Sequence, residues 1–176
     1  MSLPTPPTRR TWPTRRTPPA RIRAATPDDA DELARLRWTF RVEHGTPVDR
    51  SFAEFLDEFR GFARGVLADD QPWRAWVAED HGRLVGCLWL QLVEKVPHPS
   101  RRRWERPIGY VTNVYIEPDL RNEGLGGRLM DEALAFARDR EVAEIVVWPS
   151  ARSVSFYRRA GFGSEEAPLL LDLAGD

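Results

Sequence analysis

The stretch Val114-Tyr115-Ile116-Glu117-Pro118-Asp119-Leu120-Arg121-Asn122-Glu123-Gly124-Leu125-Gly126-Gly127-Arg128-Leu129 joins a strand-like apolar run to a helical pattern through a turn rich in glycine. The first backbone N–H groups of a helix have no intrahelical acceptor and sit at the positive end of the macrodipole. Phosphate oxygens dock there when glycines let the backbone come close. A diphosphate is the natural ligand of such a turn. No Lys-Ser/Thr follows the last glycine and no G-x-G-x-x-G is present, which excludes the triphosphate-binding and dinucleotide-binding loops.

Arg121-x-x-Gly124-x-Gly126, following Ile116-Glu117-Pro118, closely resembles the coenzyme A loop of the GNAT superfamily of N-acetyltransferases. Downstream, Ser155-Phe156-Tyr157-Arg158-Arg159-Ala160-Gly161-Phe162 resembles the Tyr-x-x-x-Gly-Phe helix of the same family, at the expected distance and after the expected strand. The resemblance extends over the element order from Arg21 to Leu173. It implies that acyl-coenzyme A inserts its pantetheine between two splayed strands, pairing with the main chain of Val114, Tyr115 and Ile116. Backbone N–H groups of Arg121, Asn122, Glu123, Gly124, Leu125, Gly126 and Gly127 would hold the diphosphate. A strand N–H near Val114 would polarise the thioester carbonyl, and Tyr157 would protonate the leaving thiolate as general acid. Ser150 and Ser153 stand where the family often has Asn and another small residue, so Ser150 is a coenzyme A contact with an altered side chain.

Attack on a thioester needs a neutral amine. At pH 7 deprotonation costs about 4.6 kcal/mol for a lysine-like amine of pKa about 10.4, and about 1.4 kcal/mol for an α-amino group near 8. Some family members place a glutamate base twelve residues before the tyrosine; here that residue is Ile145. The mismatch weakens any assignment as a ribosomal-protein N-terminal acetyltransferase. Glu117, Glu94, Glu43, His44 and His98 remain candidate bases, together with water relayed through Tyr110 or Asn113, either of which could equally orient the substrate.

The elements that must position these groups follow from periodicity. Arg21 to Ala24 reads as a short strand, and Thr26 caps a helix with Pro27 at its first position and Leu33, Leu36 and Phe40 on one face. Ser51 caps a second helix, whose apolar stripe runs from Phe52 to Val66. Arg74 to Glu79, a tight turn at Asp80-His81-Gly82, and the almost continuously apolar Leu84 to Val93 predict a hairpin with a central second strand. Ile108 to Ile116 is the next strand. A helix with Leu125, Leu129, Met130, Ala133, Leu134 and Ala137 on one face follows it. Glu144 to Trp148 is a strand, Ser153 to Ala160 a short helix closed by Gly161, and Leu169 to Leu173 a last strand. The order βααβββαβαβ predicts an α+β fold: a GNAT-like mixed, mostly antiparallel sheet flanked by helices as an α/β/α sandwich, with splayed central strands.

Composition bounds the rest. The chain of 176 residues fits one domain over 21–176, preceded by a Pro-, Arg- and Thr-rich extension, 1–20, read as disordered. That extension holds four arginines and no acid; removing them from the 26 cations leaves 22 against 27 anions, so the body carries a net charge of −5. Nucleic acid is therefore a disfavoured partner, although Arg101, Arg102, Arg103 and Arg106 surround Trp104 in the Pro97 to Pro107 loop. Cys87, the single cysteine, allows neither a disulfide framework nor a cysteine-based metal site, and no metal is expected. No apolar run reaches membrane-span length and no secretory h-region is present, so a cytoplasmic location is expected. The expected partners are acetyl-CoA and an amine, with a homodimer left open. The alternatives are a coenzyme A-binding regulatory domain without turnover and a transferase of a longer acyl group.

Overall fold

The computed structural model describes residues 20–68, 70–97, 99 and 106–163. Its sheet contains β1 (Arg21–Ala24), β2 (Trp73–Asp80), β3 (Arg83–Val93), β4 (Ile108–Ile116) and β5 (Glu144–Val146), arranged side by side in chain order. The pairs β1/β2, β2/β3 and β3/β4 are antiparallel, whereas β4/β5 is parallel. Helices α1 (Ala30–Glu43) and α2 (Phe52–Val66) cover one face, α3 (Leu125–Asp139) covers the other, and α4 (Val154–Arg159) follows β5. This is the expected mixed sandwich.

Both faces of β3 are covered, so its residues from Leu84 to Leu90 are all buried, as its unbroken apolar run requires. On the α3 side Leu88, Leu90 and Val111 pack with Leu129, Met130 and Ala133. On the other side Leu33, Leu36 and Ala63 pack with Val77, Cys87, Trp89 and Tyr115. Each fully buried leucine contributes about 1.5–3 kcal/mol of transfer free energy. Ser51 caps α2 as expected, its hydroxyl accepting from the Glu54 N–H while the Glu54 carboxylate accepts from the Ser51 N–H at 2.8 Å. At α1 the expectation needs adjustment: Pro27–Asp29 forms a 3-10 turn, and the α-helix begins one turn later at Ala30.

A bulge in β4 governs the site. Cys87 pairs with Tyr115 and Trp89 with Thr112, so Asn113 and Val114 together oppose Leu88. Asn113 takes φ 49°, a left-handed conformation that asparagine tolerates. The extra residue breaks the two-residue alternation: Val111, Val114 and Ile116 pack on the α3 side, while Tyr115 packs under α1.

The second departure is β5. It stops at Val146, not Trp148, after pairing Ile108, Gly109 and Tyr110 with Glu144, Ile145 and Val146. Pro149, which has no N–H to donate, follows closely. Beyond Tyr110 the outer edge of β4 therefore has no strand beside it among the described residues. The expected C-terminal strand at 169–173, the extension 1–19, and Arg101 to Trp104 lie outside the described residues. Among those described, no helix is long and apolar enough to cross a membrane.

Candidate active site

A cleft of about 1020 Å³ opens where β4 and β5 part, bounded by the start of α3, by α4 and by the end of α1. Gly124 takes φ +83° as the residue capping α3, which an L side chain would resist. The first helical hydrogen bond of α3 runs from the Arg128 N–H to the Gly124 carbonyl, so the N–H groups of Gly124, Leu125, Gly126 and Gly127 precede the intrahelical ladder. A Cβ on Gly127 would meet nothing within 4 Å, and one on Gly126 would touch the Phe156 ring at 3.3 Å. Bare backbone thus faces the cleft, a cradle suited to a phosphate group.

The open edge of β4 supplies a second row of backbone groups. The Glu117 N–H donates to the Val85 carbonyl on the β3 side at 2.9 Å. Alternation then turns the Tyr115 N–H toward β3, and those of Val114 and Ile116 toward the cleft.

Side chains complete the enclosure. Tyr157, on α4, is 8 % exposed and lines the cleft. Burial pushes its hydroxyl up to about 12, with Tyr110 nearby adding to the effect, so it remains a protonated donor at neutral pH. The Tyr110 hydroxyl donates to Thr112 at 3.3 Å, and its ring meets Trp148 edge-on at 4.8 Å. Ser150 and Ser153 share a hydroxyl contact at 3.0 Å on the rim.

The candidate bases separate. Both Glu43 oxygens accept from Arg121 at 2.7 Å, and the Tyr115 hydroxyl adds a third bond, so Arg121 holds Glu43 below the usual carboxylate range. Burial works against the charge of Glu117, yet hydrogen bonds from Arg83 and Arg35 hold it low as well. Neither is free to take a proton. His44 lines the cleft, its Nδ1 bonded to the Phe40 carbonyl at 2.7 Å and its Nε2 facing Arg152. Glu94 is exposed and away from the cleft, and His98 lies outside the described residues. Tyr110, Asn113, Val114 and Tyr157 are brought together.

Charge is where sequence reasoning fell short. Arg37, Arg41, Arg121, Arg152 and Arg159 line the cleft against one carboxylate, Asp131. A body with net −5 thus encloses a cationic hollow. Arg37 could have been found from helical spacing, since it stands four residues after Leu33 and three before Phe40, on the border of the apolar face of α1. Cys87 is fully buried, and burial pushes its thiol up to about 12, leaving no thiolate for covalent catalysis.

The fold is shared with solved acetyltransferases. A GCN5-related N-acetyltransferase from Ralstonia eutropha superposes with a TM-score of 0.69 at 28 % identity, over 88 % of this chain and 99 % of that one. A predicted acetyltransferase from Clostridium acetobutylicum, solved with acetyl-CoA, has the same fold with a TM-score of 0.73 at 22 % identity, over 87 % and 96 % of the two chains. In sequence, an uncharacterised N-acetyltransferase from Methanocaldococcus jannaschii is 25 % identical over 153 residues, covering 82 % of this chain and 61 % of its own length, so the match spans about three fifths of that relative. The acetyltransferase (GNAT) family model matches residues 29–162, and the chain belongs to that family.

Proposed function

We propose that this protein transfers an acetyl group from acetyl-coenzyme A to a primary amine by direct attack within a ternary complex. The observation that carries the reading is the gap in the sheet, where the unpaired edge of β4 leads straight to the uncapped N–H groups of α3. One backbone row suits an extended amide chain and the other suits a diphosphate. Bound acetyl-coenzyme A supplies the activated acyl group as its thioester.

The chain's own residues then divide the work. Asn122 to Gly127 hold phosphate through main-chain N–H groups, that of Arg121 being taken by the Pro118 carbonyl at 3.2 Å, inside an arginine-rich hollow that attracts anions. Val114 and Ile116 present N–H groups to the pantetheine and thioester region, and Val114 stabilises charge on the carbonyl oxygen. Tyr157, held protonated by burial, donates a proton to the departing sulfur. Tyr110 and Asn113 line the side from which an amine would approach. Buried Cys87 favours direct transfer over an acyl-cysteine.

Free-thiol release from acetyl-coenzyme A across aminoglycosides, polyamines, amino acids and short peptides tests the reading. Turnover by at least one amine is expected, with Gly126→Trp abolishing binding. Saturable coenzyme A binding with no amine ever releasing thiol would overturn the catalytic assignment.

A further inference from the structure

A second cavity of about 220 Å³ lies on the α1/α2 side of the sheet and shares Arg37, Tyr110, Thr112 and Asn113 with the main cleft. Its other walls are Phe59, Phe62, Trp73 and Trp89. These rings pack on one another as a continuous aromatic wall: Phe62 and Trp89 lie 5.7 Å apart, Phe62 and Trp73 5.8 Å. A cavity of roughly 150 Å³ already accommodates benzene, so this one has room for a phenyl or indole group.

Arg37 stands at the junction. Its guanidinium donates to the Asn113 side-chain oxygen at 3.2 Å, and among the described residues it forms no ion pair. Burial and neighbouring Arg41 both work against its charge. A half-buried cation facing a cleft, with no carboxylate paired to it among the described residues, suits an incoming anion.

We propose, building on the acetyl-transfer reading above, that the acceptor is an α-amino acid with an aromatic side chain. Its three substituents match three features that converge on Asn113. The carboxylate pairs with Arg37, the ring enters the aromatic cavity, and the amine is left against the bulged part of β4, where Val114 faces the cleft. Pairing the carboxylate with Arg37 removes the negative charge that would otherwise hold the proton on the amine. The arrangement therefore eases deprotonation in a cleft whose nearest glutamates are locked to arginines. Arg37 and Arg41 together repel acceptors with additional positive charge, which disfavours polyamines and aminoglycosides.

Thiol release should be measured with L-phenylalanine, L-tryptophan, L-phenylalaninamide, L-alanine and spermidine. The expected order has phenylalanine or tryptophan exceeding both the amide and alanine by about ten-fold or more in kcat/KM, in keeping with loss of a charged hydrogen bond or of ring burial. Arg37→Met should erase the preference for phenylalanine over its amide, chiefly through KM, and Trp73→Ala should erase the preference over alanine. Equal turnover of the amide, or faster turnover of spermidine, overturns the acceptor assignment and leaves acetyl transfer intact. Silence across this panel with turnover of another amine does the same. Silence toward every amine overturns both.

Discussion

Arg121 grips Glu43 through two parallel hydrogen bonds of 2.7 Å, while its Nε donates to the Ile116 carbonyl at 2.9 Å. One side chain thereby ties the end of α1, the end of β4 and the glycine turn into a single unit. In the family signature this arginine opens the loop. Here its side chain positions the loop, and its main-chain N–H donates to the Pro118 carbonyl at 3.2 Å.

Arg121→Lys should weaken that tie, because an ammonium cannot reproduce the planar fork. The pair is partly exposed, so the expected loss is about 0.5–1 kcal/mol, read as a small fall in Tm. A several-fold rise in KM for acetyl-coenzyme A should accompany it. An unchanged KM would show that the loop keeps its shape without the fork.

Glu117 separates a structural role from a catalytic one. It is gripped by Arg35 and Arg83 and only 16 % exposed, so Glu117→Gln should cost about 1–3 kcal/mol while kcat at neutral pH stays within about two-fold. Its carboxyl titrates lower when folded, so its contribution is present above the ordinary carboxylate range and is lost as pH falls through the folded value. Denaturation followed from pH 7 downward should show a shallower acid limb in the variant. A collapse of kcat would instead mark Glu117 as the base.

Tyr157→Phe should lower kcat by about 10²-fold or more and leave KM for acetyl-coenzyme A nearly unchanged. With its hydroxyl pushed up to about 12, the wild-type enzyme should show no alkaline loss of rate from this residue below about pH 11. A variant retaining half of the wild-type kcat would reduce the tyrosine to a packing role.

Gly127→Ala sets stability against binding. An added Cβ meets open space, and alanine in the first turn of α3 gains about 0.5–1 kcal/mol over glycine, so Tm should rise. The same methyl intrudes on the phosphate cradle, so KM for acetyl-coenzyme A should rise too. A higher Tm with unaltered KM would move the phosphate elsewhere on the loop.

Legibility in the sequence followed the scale of the signal. The glycine turn, Tyr157 and the helix faces of α2 and α3 are local patterns, carried by three- and four-residue spacing or by a motif, and they stand where the pattern put them. The bulge left no such trace, since Tyr110-Val111-Thr112-Asn113-Val114-Tyr115 alternates well enough to pass for a regular strand. Only the asparagine, tolerant of positive φ, hinted at it. The early end of β5 was hidden because Val147 and Trp148 are as strand-like as Val146. Arg37 was lost for another reason: a charge count over the whole body averages out a cation whose importance depends on which layer α1 covers.

The bulge at Asn113 also says how this strand can change over generations. Glycine or aspartate could replace Asn113, because each accepts a left-handed backbone at modest cost. Removing the residue altogether is a different event. A strand one residue shorter would regain strict alternation with Val114, Tyr115 and Ile116 on the faces they already hold, since Val114 alone would then oppose Leu88, and the strand would lose the bend and added twist that a bulge imposes. Substitution here preserves the bend in β4, whereas deletion would keep its core faces and straighten it.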